Sequence, residues 1–165
     1  MCRPREGGDP ICFLKKWGPR LRGGDGQEEA MKKVKKEVID VPGVSRHLKK
    51  EGIPLNPVIR AGNFVFVSGL TPMDRRTGKI PLVTVDKQAR MVLENMKVCL
   101  KAAGSSFENV VKCTVYITNT AYFDEVNKVY RKYFKRNQPA RVFCVVGSWP
   151  KKFDVEIDCI ALVDE

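Results

Sequence analysis

TVDKQARMVLENMKVCLKAAGSSFENVVKCTVYIT, residues 84–118, changes its apolar period halfway along. Ala89, Val92, Leu93, Met96, Leu100 and Ala103 recur at three- and four-residue steps, which predicts one buried helix face. Thr84 stands at the N-cap, with Lys87 where a capping box would place Glu, and Gly104 supplies the stop. Beyond it the period falls to two. Val111, Cys113, Val115 and Ile117 alternate with Lys112, Thr114, Tyr116 and Thr118, which predicts a strand buried on one face.

The flanking segments extend this pattern in both directions. Upstream, PVIRAGNFVFVSGL (57–70) reads as a hairpin: a short strand to Ala61, a Gly62-Asn63 turn, and a strand from Phe64 to Ser68. TPMDRRTGKIP (71–81) is a loop. Downstream, AYFDEVNKVYRKYFKRN (121–137) predicts a second amphipathic helix, with Phe123, Val126, Tyr130, Tyr133 and Phe134 on one stripe and Pro139 as its stop. Strands from Arg141 to Gly147 and from Phe153 to Leu162 follow, joined by a tight hairpin across SWPKK. The expected order is β-β-α-β-α-β-β, an α+β fold with two helices on one sheet face. Apolar residues such as Phe66, Val115 and Val145 exceed what two helices can cover, so an oligomer is expected over the second face.

The 165 residues carry 30 Lys/Arg and 19 Asp/Glu, a net charge of +11. Residues 1–36 hold ten of the cations against five acids and are rich in Gly and Pro, so they are read as a disordered basic tail ahead of a domain at 37–165. Met31 resembles an ordinary translation start, and residues 1–30 are read as an extension outside the native chain. No stretch approaches a membrane span and ICFL is too short for a signal-peptide core, so a cytoplasmic location is expected. The six cysteines form no CxxC pair, which points to reduced, packed thiols and no disulfide framework. The single histidine, His47, is expected at the surface; with one histidine, zinc sites and Ser-His-Asp chemistry are disfavoured. Nucleotide-binding, zinc-protease and serine-hydrolase motifs are absent.

Chemistry is best sought in QPARVFCVVGSWPKKFDVEIDC, residues 138–159. Asp154, Glu156 and Asp158 share one strand face, and three carboxylates cannot all be buried without partners. Pattern alone makes them a solvated face; a cleft would make one a general base. Arg141 is by pattern a structural arginine, or else a planar fork for a substrate carboxylate. In a simple hairpin Glu156 lies roughly four residues along from Arg141, ~13 Å at ~3.3 Å per residue. Either a small acid and water bridge them, or they meet across a subunit boundary. Ser68 at a strand end and Asn127 in mid-helix are weaker polar candidates.

RAGNFVFVSGLTPMDRRTGKIP, QARMVLENMKVCLKAAGSSFENVVKCTVYITN, FDEVNKVYRKYF and PARVFCVVGSWPKKFDVEIDCIALV together resemble the RidA/YjgF family, the reactive intermediate deaminases. The likeness covers about residues 38–165, and Pro-Ala-Arg141 followed by Pro150 and Glu156 is its most specific part. It implies a chorismate-mutase-like homotrimer with active sites between subunits, hydrolysing 2-imino acids to 2-keto acids and ammonia without a cofactor. Arg141 would hold the substrate carboxylate and Glu156 the attacking water. Ser68, Asn127 and groups around Phe143 and Cys144 would complete the cleft. The chain departs from the family at Leu55, where tyrosine is common, and at Phe143, where cysteine is common; Cys144 is displaced by one, onto the opposite strand face. Leu70 replaces a glutamine. The pocket is therefore more apolar. Two alternatives are a non-catalytic carboxylate-binding trimer, favoured by Leu55 and Phe143, and a ribonuclease, an activity also ascribed to the family. Only net charge favours the latter, so nucleic acid is not expected as a partner.

Overall fold

The computed structural model describes residues 34–164. The expected tail at 1–36 therefore lies almost wholly outside the described residues, as does any extension over 1–30. The elements are β1 (Lys36–Ile39), α1 (Val44–Lys50), β2 (Val58–Ala61), β3 (Phe64–Leu70), α2 (Val85–Ala102), β4 (Val110–Ile117), α3 (Phe123–Tyr133), β5 (Ala140–Val145) and β6 (Val155–Leu162). The expected order lacked β1 and α1. KEVI is short and mostly exposed, and α1 is two turns long, so neither carries enough periodicity to be read.

One six-stranded sheet runs β1-β2-β3-β6-β4-β5. The expected hairpin between the last two strands is overturned. β5 pairs in parallel with β4, and β6 inserts antiparallel between β3 and β4. The cause is connectivity: α3 crosses over from β4 and returns the chain parallel beside it, so β6 takes the other edge of β4.

Helix α2 ends as its sequence requires, with Gly104 at φ 70 just past the Ala103 cap. At its start, Thr84 donates its hydroxyl to Asp86 and leaves the helix N–H groups uncapped. Helix α3 stops at Tyr133, earlier than Pro139 would demand, and Asn137 turns the chain with φ 47. Leu93, Met96 and Leu100 of α2 and Val126 of α3 are fully buried with Val65, Val115, Ile157 and Ala161 of the sheet. A bulge between Val110 and Lys112 puts Val110 in the core and Val111 outside, one step from the expected alternation.

The helices cover one face only. Phe64 and Phe66 of β3 and Leu162 of β6 remain 47%, 41% and 38% exposed, and they share the other face with Ile160. Val115, expected among the uncovered residues, is in the core; Val145 is exposed at the β5 edge. No described helix is long and apolar enough to cross a membrane.

Candidate functional site

The acidic row is not uniform. Asp154 precedes β6 and is taken up by Thr118 Oγ1 (2.6 Å) and Gln88 Nε2 (3.0 Å). Asp158 accepts the Thr114 N–H (3.2 Å) and the Tyr116 hydroxyl (3.0 Å). Glu156, between them, has no hydrogen-bond or ion-pair partner among the described residues. Burial first, and the Asp158 carboxylate second, push its carboxyl above the ordinary value. Its side chain lies on Gly69, where β3 loses register with β6: a Cβ at that glycine would sit 2.0 Å from Glu156 Oε1.

Glu156 opens into a cavity of about 290 Å³ at this end of the sheet. Ser68, Gly69 and Leu55 line it, with walls from α1, the 71–80 loop and the Trp149–Phe153 turn. Ser68 Oγ donates to the Asn56 carbonyl (2.7 Å), so the hydroxyl is anchored and its lone pairs stay free. His47 is not at the surface. It is 9% exposed, forms part of the cavity wall, and its Nε2 lies 3.0 Å from the Arg75 carbonyl oxygen. Trp149 stacks on Phe153 with centroids 5.0 Å apart, and its indole N–H is buried without a partner among the described residues.

The other candidates gather elsewhere. Arg141 Nη1 donates to Asn127 Oδ1 at 2.8 Å, and its Cζ lies 4.8 Å from the Tyr130 ring centroid and 5.3 Å from that of Phe143. Phe143 in turn packs edge-on against Phe123 at 4.7 Å. The guanidinium is thus stacked and held by one nitrogen while the residue stays exposed, so its remaining donors are available to an anion. The Tyr130 hydroxyl beneath it is also buried without a partner among the described residues. Cys144 pairs with Tyr116, on the face opposite Phe143, as its one-residue displacement requires.

Leu55, Ser68 and Glu156 therefore form one group, Arg141, Asn127 and Phe143 a second, and Cys144 stands apart. Arg141 pairs with Cys113 and Glu156 with Tyr116, so the two point to opposite faces of the sheet. They are two strands and three residues apart, ~14 Å from ~4.8 Å per strand and ~3.3 Å per residue. A small acid cannot touch both within one chain, bridging water or not. Each group holds what the other lacks: a free guanidinium edge on one side, a desolvated carboxylate beside a cavity on the other.

Sequence reasoning passed over Gly69, Trp149 and Phe153 and set His47 at the surface. Val44, His47 and Leu48 do carry a helical step, and Gly69 adjoins Ser68, but neither signal stands out in a single chain. No group of three or more His, Cys, Asp or Glu among the described residues is placed to hold a metal.

Residues 50–163 match the Endoribonuclease L-PSP family. The chain is 44% identical over 108 residues to a RutC family protein of Pyrococcus horikoshii, covering 66% of this chain and 86% of that one. It is 37% identical over 109 residues to the 2-iminobutanoate/2-iminopropanoate deaminase of Homo sapiens, covering 66% and 80%. The crystal structure of E. coli TdcF with bound serine superposes with a TM-score of 0.64 at 37% identity, covering 67% of this chain and 89% of that one. The chain belongs to the Endoribonuclease L-PSP family, the RidA/YjgF group its sequence resembles.

Proposed function

We propose that the protein hydrolyses 2-imino acids to 2-keto acids and ammonia, in sites formed where the Arg141 edge of one copy meets the Glu156 cavity of the next in a homotrimer. The observation that carries this reading is Glu156, the one acid of its row left unpartnered among the described residues and desolvated beside a cavity. The split of the candidates into two incomplete groups supports a site made between copies, and the exposed Phe64, Phe66 and Leu162 supply an apolar face for contact. The deaminase name of the human relative and the serine bound by TdcF fit a small ligand with a carboxylate.

In this reading the Arg141 fork grips the substrate carboxylate. A water held by Glu156 adds to C2 of the protonated imine: the C–O bond forms, the C=N π pair moves to nitrogen, and Glu156 takes the water proton. Glu156 then returns the proton to the amine. The C–N bond breaks, ammonia leaves, and the regenerated Glu156 carboxylate takes the hydroxyl proton to give the 2-keto acid. The raised Glu156 pKa brings the carboxylate closer to the pH at which a base of this kind works best.

The experiment is keto-acid formation from 2-iminobutanoate made in situ by an amino acid oxidase. Wild type accelerates it, and Arg141→Ala and Glu156→Gln remove the acceleration; equal rates in all three proteins would end the assignment. A second reading, a trimer that binds small carboxylates without turnover, draws on Leu55 and Phe143, and it predicts calorimetric binding of a 2-keto acid with no rate on any imine. Ribonuclease action is disfavoured, because His47 is buried against the Arg75 carbonyl.

A further inference from the structure

We infer that the cavity beside Glu156 is a side-chain pocket selecting 2-imino acids with bulky apolar side chains, such as those derived from leucine, methionine or phenylalanine, over those derived from alanine or 2-aminobutyrate. The inference rests on the imine-hydrolysis reading above and adds the substrate class. At about 290 Å³ the cavity lies at the small end of ligand pockets, typically ~300–1,000 Å³, which suits a small metabolite. It would hold about ten waters at ~30 Å³ each, so a methyl or ethyl group leaves most of it wet.

Its polar lining is largely committed to the protein itself. Asn95 Nδ2 donates to the Thr71 and Met73 carbonyls at 3.2 and 2.9 Å. His47 is held by the Arg75 carbonyl and Ser68 by that of Asn56. Glu51, which caps the C-terminus of α1, and Lys151 of the Trp149–Phe153 turn pair with each other. What faces a ligand is then mostly apolar, chiefly Ile53, Leu55, Met73, Ile80 and Phe153, with the Trp149 indole N–H, the Ser68 lone pairs and Glu156 as the polar groups left free. A polar side chain would find few partners there and would lose its hydration. Each buried methylene favours binding roughly 4-fold, so three more carbons give about 60-fold.

The test compares kcat/KM for imines generated from alanine, 2-aminobutyrate, leucine and phenylalanine. The leucine-derived imine is expected to exceed the alanine-derived one by about 60-fold. Ile53→Phe, which fills the pocket, is expected to lower that ratio at least tenfold, whereas an unfolded or loosened variant would lower both rates together and leave the ratio unchanged. Calorimetry with 4-methyl-2-oxopentanoate and pyruvate measures the pocket without turnover. Activity on small imines equal to or above that on large ones overturns the pocket inference and leaves the deaminase reading standing. No activity on any imine ends the deaminase reading; the pocket then stands on tighter binding of 4-methyl-2-oxopentanoate, and equal or absent binding of the two keto acids overturns it.

Discussion

Adding one methyl group at Gly69 isolates the contribution of carboxylate placement. The new Cβ would lie 2.0 Å from Glu156 Oε1, 2.8 Å from Cδ and 3.2 Å from Cγ. Ordinary contact begins at about 3.4 Å, so Oε1 must retreat by about 1.4 Å. The obstructing atoms belong to the end of a flexible side chain, and Gly69 is not among the glycines with positive φ, so alanine meets no backbone strain. Lost unfolded-state entropy even favours the variant by ~0.4–1 kcal/mol, which offsets part of the crowding. Stability is therefore expected to change by no more than about 1 kcal/mol. Activity is not so protected: a ~1 Å misplacement near the reacting atoms costs about 100-fold. Gly69→Ala is expected to lower kcat/KM on a 2-imino acid about 100-fold with Tm nearly unchanged. Because the effect runs through Glu156, adding it to Glu156→Gln should cost almost nothing more. A folded Gly69→Ala variant with full activity, or full additivity in the double variant, would refute the placement of Glu156.

The remaining predictions concern the charges and thiols. In its proposed role as base, Glu156 must be ionised, so kcat/KM should fall as pH drops through a pKa above the ordinary carboxylate value; Asp158→Asn removes the second cause of that shift and should move the acid limb to lower pH. The folded pKa lies above the unfolded one, so the native state binds more protons and Glu156 loses stability for the protein as pH rises through that window. Glu156→Gln should therefore melt above wild type at neutral pH, with the gap closing once pH falls below the ordinary carboxylate value. Arg141→Lys keeps the charge but loses the fork and the stacking on Tyr130 and Phe143, and should raise KM at least about 30-fold; Asn127→Ala, which frees the guanidinium from one bond, should raise it about 5-fold. Burial pushes the Cys99 thiol up to about 12 and Cys113 to about 11, and raises Cys159 well above its usual value, so alkylation mapped by mass spectrometry should reach these three only on unfolding.

Long periodic segments carried most of the fold. Residues 85–102 and 112–117 appear as the helix and strand their spacing demands, because each buries one continuous face. Strand neighbours were less legible. Arg141 and Glu156 sit on consecutive strands in sequence, yet β4 lies between them, and that follows from the crossover of α3, not from any residue in the turn. Pattern also treated Asp154, Glu156 and Asp158 alike. What separates them is which groups donate to them: Thr118 and Gln88 for the first, Thr114 and Tyr116 for the last. Gln88 is 66 residues from Asp154 in the chain, beyond the reach of local pattern. His47 was misplaced for the same reason, since its partner Arg75 lies on a loop 28 residues away.

The central claim, an active site shared between copies, is tested most directly by mixing two inactive variants. Arg141→Ala retains an intact Glu156 group, and Glu156→Gln retains an intact Arg141 group. Refolded together from denaturant in equal amounts, they should assemble into the proposed trimers, in which some contacts join the two intact groups. With random assembly, about one quarter of the sites carry both, so the mixture should recover about one quarter of wild-type activity on a 2-imino acid. Activity no greater than the sum of the two variants alone, in a mixture that forms mixed trimers, would contradict the account.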